Sequence, residues 1–471
     1  MNFSLHERIF EVAPTVYTPG PYTVTPLTAP VNKETCFRVR IAPGYRPISC
    51  WGITELRMIS HDGVMADGAP ALWNKFISLN FSFEDETLCF PAFLHQEGKY
   101  TLQLMCGERL VLEFFVYALE NDLYNCIPLK GDFHSHSSVS DGRQNPELAA
   151  IRGRKRGLDF LAVTDHGLYE GSTEAINAMK DKGSSLLLCP GEEMHLPLRP
   201  DLIKPFHDRW LEMPWVEGCL AAHLVNFGGS FSINQYAREN KARYLEEVAA
   251  REAELPDELS PFDRFTAAAA EWAFDKVREG GGLAVYPHPY WPLYGRNAVS
   301  DAFNKTMFER GKFDAFEAAN NKSHEYNYLA QSEYARQRGN GRMPSVVGCS
   351  DVHDTDSSDK WAYTIVLAKD FSLQGICEAV RAGFCCAVMP AGEGALPVVT
   401  GDFRIVRYVY FLLGQYFPEH DQWCSLEAEL LERSMAMKGF PFASAVKETT
   451  SAIAEFCQRS FPGTLKETEA Q

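Results

Sequence analysis

After Pro128, apolar runs of strand length alternate with stretches of helical pattern, and nearly every run is followed at once by a histidine or an acid. The runs are 157–163, 185–189, 218–222, 282–286, 313–317 and 344–348. Continuous apolar runs flanked by helices predict a parallel sheet buried on both faces. Helices are expected over 146–156, where Pro146 follows Asn145 as an N1 proline, and over 172–182. The Ala- and Glu-rich stretch from about 230 to 279 looks like a helical insertion. Alternation sustained over roughly 260 residues is the pattern of a (β/α) barrel, whose active sites gather at the C-terminal ends of its strands.

What stands at those ends is specific. The first strand leads into Asp132-Phe133-His134-Ser135-His136, with Ser140-Asp141-Gly142-Arg143 just beyond; the second into Thr164-Asp165-His166; the third into Pro190-Gly191-Glu192-Glu193. The fourth ends at His223, the fifth at Pro287-His288-Pro289, and the seventh at Cys349-Ser350-Asp351-Val352-His353. Alternate side chains of an extended segment point the same way, so His134 and His136 can face one ion, and Asp351 and His353 one pocket. Imidazoles mixed with carboxylates suit Zn²⁺, Mn²⁺ or Fe²⁺ rather than an all-oxygen Ca²⁺ cage. The candidate ligands exceed what one tetrahedral ion needs, which points to two or three ions sharing a carboxylate.

The flanks read differently. Residues 1–126 carry short alternating runs, such as 37–41, 101–105 and 110–117, separated by turn formers, and predict a β-sandwich with no catalytic constellation. Residues 401–471 carry helical patterns over 424–437 and 442–456 and predict a small helical C-terminal region. The barrel with its insertion then occupies 127–400. The basic string Arg152-Gly153-Arg154-Lys155-Arg156 reads as a solvated helix face.

Composition excludes several classes. With 45% hydrophobic and 23% charged residues the chain is not disordered. A net charge of −17 disfavours nucleic acid and anionic membranes as partners. There is no apolar stretch long enough for a membrane span and no apolar segment near Met1–Arg8 of the kind a secretory signal needs. The 13 cysteines form no CxxC pair, and many lie in apolar runs. Buried, reduced thiols and a cytoplasmic protein are expected.

The ordered set His134-Ser135-His136, Ser140-Asp141-Gly142, Thr164-Asp165-His166, Gly191-Glu192-Glu193, His223, His288-Pro289 and Ser350-Asp351-Val352-His353 resembles the motifs of the polymerase and histidinol phosphatase (PHP) family, over roughly residues 127–390. The resemblance implies a distorted seven-stranded (β/α) barrel with a two- or three-metal centre, and a hydrolase, most often of phosphoesters. The N-terminal β region and Ser-Asp-Gly-Arg resemble a branch that includes carbamate and ester hydrolases. Carried over, the roles place His134, His136, Glu193 and Asp351 on a first metal, Glu193 bridging to a second held by His223 and His288, and Asp141, His166 and His353 on a third. Glu193 rather than Glu192 is taken as the inward acid, because the family places its acid second after glycine. Asp141 stands where many relatives have histidine.

Such a centre would acidify a bridging water to a hydroxide nucleophile. Arg143 could clamp a phosphoryl or carboxyl oxygen, or be a surface loop charge. Asp165 could orient a ligand or cap a turn. His195 could share the face of Glu193. Tyr290-Trp291 and Lys360-Trp361 could line a cleft; His6, His61, His95, His207, His324 and His420 match no motif. The expected function is hydrolysis of a small-molecule phosphoester. The same centre would serve a carboxyl- or carbamate-ester hydrolase, and a silent metal-binding regulatory module is the reading from another class. Oligomeric state is not legible in the sequence.

Overall fold

The computed structural model describes residues 22–61, 76–203, 222–293, 296–356, 361–391, 395–437 and 442–464. Nine strands come first: β1 (Tyr22–Thr25), β2 (Thr28–Pro30), β3 (Glu34–Ile41), β4 (Glu55–Ser60), β5 (Ile77–Leu79), β6 (Ser82–Glu84), β7 (Thr87–Phe93), β8 (Gly98–Cys106) and β9 (Arg109–Leu119). They form a four-stranded sheet, β1-β3-β7-β6, and a five-stranded sheet, β2-β9-β8-β4-β5. In β3 the alternation turns Phe37 and Val39 inward and Arg38 and Arg40 outward. Phe37 stacks on Phe90 at 5.5 Å, and Phe90 lies 6.0 Å from Phe114 of the other sheet, so the two sheets share one core. Each such buried ring stabilises by roughly 1.5–3 kcal/mol. That core runs on without a break into Leu367, Val388, Tyr408 and Phe411 of the rest of the chain.

The remaining strands are β10 (Ile127–Asp132), β11 (Phe160–Ala162), β12 (Leu187–Cys189), β13 (Gly191–Met194), β14 (Leu224–Phe227), β15 (Leu283–Tyr286), a small hairpin of β16 (Pro292–Leu293) and β17 (Arg296–Asn297), then β18 (Ala315–Ala319), β19 (Ser345–Gly348), β20 (Tyr363–Ala368), β21 (Cys385–Met389) and β22 (Val398–Gly401). Apart from the hairpin they make two sheets, β12-β11-β10-β20-β21-β22 and β13-β14-β15-β18-β19. This is a mixed α/β architecture, and it corrects the expectation of one parallel sheet. Pairing is parallel for β10–β11–β12 and β15–β18–β19, but β14 is antiparallel to both β13 and β15, and β20 to both β10 and β21. An apolar run specifies burial on both faces and leaves strand direction open, which is why the sequence pattern misleads here. Two isolated parallel bridges, Ser135 with Val352 and His166 with Glu193, join the two sheets at the end that carries the histidines.

The expected strand at 218–222 lies outside the described residues except for Ala222; the strand that forms is β14, just after His223. The helix Pro146–Lys155 starts as expected, with the Asn145 side chain accepting from Leu148 N. The second expected helix forms at Glu170–Met179. The insertion is three helices, Ile233–Glu239, Lys241–Glu252 and Pro261–Glu279. The C-terminal region holds Phe403–Gln415, Phe417–Ala436 and Phe442–Ser460. Its packing overturns the reading of the basic string as a solvated face. Arg154 is fully buried, with Nε and Nη2 donating to Glu427 of helix Phe417–Ala436 and Nη1 to Asp159. One face of the 146–155 helix is covered by another helix, and position 154 falls on it.

Among the described residues the cysteines are free. No helix there is long and apolar enough to cross a membrane.

Candidate metal centre

The two bridges bring the strand ends together, and the side chains beyond them converge. Each of His134, His136, Asp141, His166, Glu193, His223, His288, Asp351 and His353 places a ring nitrogen or carboxylate oxygen within 3.5 Å of another of the set. His134 and His136, two residues apart beyond β10, bring their Nε2 atoms to 3.1 Å. Asp351 Oδ1 lies 3.1 Å from His136 Nε2 and 3.6 Å from His134 Nε2, and Glu193 lies 3.5 Å from each. Two donors bound at about 2.0–2.1 Å to one tetrahedral ion would sit about 3.3–3.4 Å apart, so this spacing fits a shared cation.

Glu193 is the centre of the group. Its Oε2 is 2.6 Å from His166 Nδ1, and its Oε1 is 2.7 Å from His223 Nδ1 and 3.2 Å from His288 Nε2. Regular extension of β13 turns Glu192 to the other side. There its carboxylate accepts from Ser232 Oγ and the backbone of Ile233 and Asn234, capping the helix Ile233–Glu239. His223 arrives by a route the sequence reading did not foresee. It directly precedes β14, and reaches the cluster because β14 runs antiparallel between β13 and β15.

The ligand-capable groups fall into overlapping sets whose atoms all lie within 4.8 Å of one another: His134, His136 and Glu193; His134, His288 and Asp351; His136, Asp141, His166 and His353; and His166, Glu193, His195 and His223. These residues could hold divalent metal ions. The sets differ from the expected partition: His136 also joins Asp141, His166 and His353, Asp351 falls in a set without Glu193, and His166 also joins Glu193 and His223. His288 groups with His134 and Asp351 rather than with His223, and His195 joins His166 and His223. His195 Nε2 is 2.8 Å from His166 Nδ1.

The donor set fits cations on a second count. His136 Nδ1, His195 Nδ1, His223 Nδ1 and Glu193 Oε2 are buried without a hydrogen-bond partner, although His223 Nδ1 lies 2.7 Å from a carboxylate oxygen. Close but misaligned polar atoms in a buried site are groups waiting for a partner. Charge is arranged accordingly. Burial works against ionisation of Glu193, yet His223, His166 and His134 hold its carboxyl well below the ordinary range. Burial likewise opposes the charged form of His134, but Glu193, Asp351 and Glu317 carry its pKa well above the usual value. For His166, Glu193 and Asp141 outweigh burial and raise it to about 10. His136, under burial and the neighbouring His166 and His353, falls to about 3.

Several residues supply the frame. His288 and Asp351 are non-glycine residues in the left-handed region, at φ +25° and +48°, which costs about 1–3 kcal/mol each and marks positions over-determined by their surroundings. Gly142 is required by close approach, since a Cβ there would lie 2.7 Å from the backbone of His136 and Ser137. Asp165 is buried and accepts from Ser137 N and Oγ and from Ser140 N and Oγ. It thus ties down the loop that carries Asp141, and these bonds fit the turn-capping reading. Arg143 is exposed and pairs with Asp354 at 3.0 Å, so its guanidinium lies on the surface. Trp361 is buried beneath Arg156, and Lys360 lies outside the described residues, as do His6 and His207.

Two contributors escaped the sequence reading. Glu317, on the one strand thought to deliver nothing, is buried and faces His134 Nδ1 at 2.7 Å, while its other oxygen accepts from His288 N and Asn320 Nδ2. A carboxylate behind an imidazole fixes the tautomer and aims the other ring nitrogen. Lys322 pairs with Asp351 Oδ2 at 2.8 Å. The only sequence signal for Glu317 was an acid inside an apolar run; Lys322 had none.

No family model matches the sequence, and no curated protein matches it. Similar solved structures include a two-domain protein from Bacteroides vulgatus containing a predicted PHP-like metal-dependent phosphoesterase, with 19% identity over 56% of this chain and 66% of that one, at a TM-score of 0.37. A protein from Bifidobacterium adolescentis assigned as a metal-dependent phosphoesterase shares 20% identity over 47% of this chain and 87% of that one, at a TM-score of 0.31. An amidohydrolase from Chromobacterium violaceum shares 18% identity over 48% and 87%, at a TM-score of 0.29. This chain thus spans just under two thirds of the first protein's length. The case for a metal centre stands on the geometry of this chain.

Proposed function

We propose that this protein is a metal-dependent hydrolase of small phosphoesters, of the PHP type, with the two bridged sheets forming a distorted barrel around the centre. The observation that carries the reading is the convergence of nine histidine, aspartate and glutamate side chains, several with buried polar atoms left without partners. His134, His136, Glu193 and Asp351 would hold one ion, with His288 beside them. Glu193 would be shared with a second ion at His166, His195 and His223, and Asp141 and His353 would complete a third position with His166. Two or three ions of Mn, Zn or Fe suit this donor set. Bound there, they would supply Lewis acidity, which activates water and neutralises charge on a leaving oxygen.

The chain's own residues do the rest. Glu317 takes the proton of His134 Nδ1 in a hydrogen bond and presents Nε2 to the cluster. Asp165 and Gly142 hold the 137–142 loop so that Asp141 reaches His166 and His353. Trp291 lies beside the cluster, 5.2 Å from the His223 ring. The substrate is a small molecule, and a cytoplasmic setting fits the reduced thiols.

Metal analysis of purified protein is expected to find at least two transition ions per chain. With Mn²⁺ or Zn²⁺, p-nitrophenyl phosphate and its bis ester should be cleaved faster than p-nitrophenyl acetate. Acetate cleavage far above both would make it a carboxyl- or carbamate-ester hydrolase; bound metal with no turnover of any ester would make it a regulatory module.

A further inference from the structure

Beside the cluster lies a small hollow whose lining includes His288, Glu317, Trp291, Tyr326, Asn327 and Lys322. Lys322 is the one lysine or arginine among the described residues that line it. Its position is built, not incidental. The Lys322 backbone N–H donates to Asn320 Oδ1, Asn320 N–H donates to Asn327 Oδ1, and Asn327 Nδ2 returns a bond to Asn320 O. Asn320 Nδ2 in turn donates to Glu317, the carboxylate behind His134. The turn carrying the lysine is therefore tied to the same frame that aims the imidazoles.

Asp351 links the cluster to Lys322. Its Oδ1 faces His134 and His136, and its Oδ2 faces Lys322 Nζ. That is the one ion pair the ammonium makes among the described residues, and an ammonium has three donors. Two N–H groups remain for a ligand, on a half-buried side chain whose charge also lies 5.8 Å from the Trp291 ring. A cation placed one carboxylate away from the cluster, in the lining of the hollow, is where an anionic oxygen next to the reacting atom would be held.

We propose that Lys322 is a substrate-binding residue that holds an anionic oxygen of the scissile group, favouring esters that bear a negative charge at the reacting centre. This rests on the metal-hydrolase reading. The shared chemistry is a phosphoryl or a carboxyl oxygen, and two probes tell them apart.

The test uses the full chain loaded with Mn²⁺, with metal content measured on each sample. Inorganic phosphate and acetate are titrated calorimetrically into the wild type, Lys322→Met and Lys322→Arg. Removing a charged hydrogen-bond donor should weaken anion binding about tenfold or more. Lys322→Met is therefore expected to lose at least that much phosphate affinity at unchanged metal content, and Lys322→Arg to stay within about threefold of wild type. A larger loss for acetate than for phosphate would keep the role and assign the carboxyl source. Equal affinity of wild type and Lys322→Met for both anions would overturn it. So would a loss of metal in Lys322→Met, because the lysine would then serve only Asp351. A wild type that takes up no Mn²⁺ would sink the metal reading itself, and the role of Lys322 with it.

Discussion

Among its described residues the molecule buries two clusters of histidine and acid, and they are built on opposite plans. At the strand ends, imidazoles and carboxylates crowd around Glu193, and four buried polar atoms lack hydrogen-bond partners. Under helix Phe417–Ala436, Asp159, His420 and Cys424 also lie close enough to hold an ion. There, however, the cations are supplied by the chain. Asp159 accepts from His420 Nε2, Arg154 Nη1 and Lys130 N; Lys130 Nζ pairs with Asp421; Arg154 pairs with Glu427, which also accepts from Ser184 and Ser185. Of the two, one is satisfied by protein groups and needs nothing further; the other, although its imidazoles and carboxylates support one another's charge, leaves four buried polar atoms without hydrogen-bond partners. Residue types alone do not make a metal site. Whether every buried polar group already has a hydrogen-bond partner decides.

The contrast can be broken most sharply at Glu193. Glu193→Gln should remove bound metal and reduce p-nitrophenyl phosphate turnover by more than about a hundredfold, beyond the ten- to hundredfold typical of groups behind the ligands. Retention of both metal and turnover would end the distinction drawn here. Next in size is Arg154→Met, which leaves the buried Glu427 carboxylate without its cation and should lower stability by about 3–5 kcal/mol in urea unfolding. Metal per folded chain should not change; if it does, the two clusters are coupled. Glu317→Gln tests the frame behind the ligands. It should weaken metal affinity ten- to hundredfold in competition with a chelator, while the fold persists.

The smallest effect is a pH dependence confined to the satisfied cluster. Burial would depress the pKa of His420, but Asp159 and Cys424 outweigh it and hold it well above the ordinary value. A raised folded pKa means the contribution is whole below the unfolded value of about 6.5 and fades as pH climbs through the folded one. The urea midpoint of the wild type should therefore exceed that of His420→Gln by more at pH 6 than at pH 9. A difference that grows with pH would show that His420 is buried neutral.

Much of the candidate site could be read before any coordinates. His134 and His136 share a side as alternation in extended chain predicts, and Asp351 and His353 join them, although Asp351 sits in the left-handed region rather than in extended chain. The choice of Glu193 over Glu192 placed the acid on the histidine side, with its neighbour capping a helix. What stayed hidden depended on direction and on distant chain. His223 was placed after a run at 218–222, whereas the described strand beside it is β14, which follows it and runs antiparallel to both neighbours. Arg154 looked like a surface charge because its partner, Glu427, lies 273 positions away. Arg143 sat beside the right motif, yet its side chain turns out to Asp354.

The sequence by itself determined which chemistry could be assembled: the kinds of donor, their spacing by two, and their attachment to apolar segments that must be buried. Only the tertiary structure decided which donors meet, in which sets, and which charges are already answered by the protein. The reason is physical. Side-chain alternation and burial are local properties of the chain, whereas strand direction, the two bridges between sheets and the pairing of buried ions are settled by contacts between segments hundreds of residues apart.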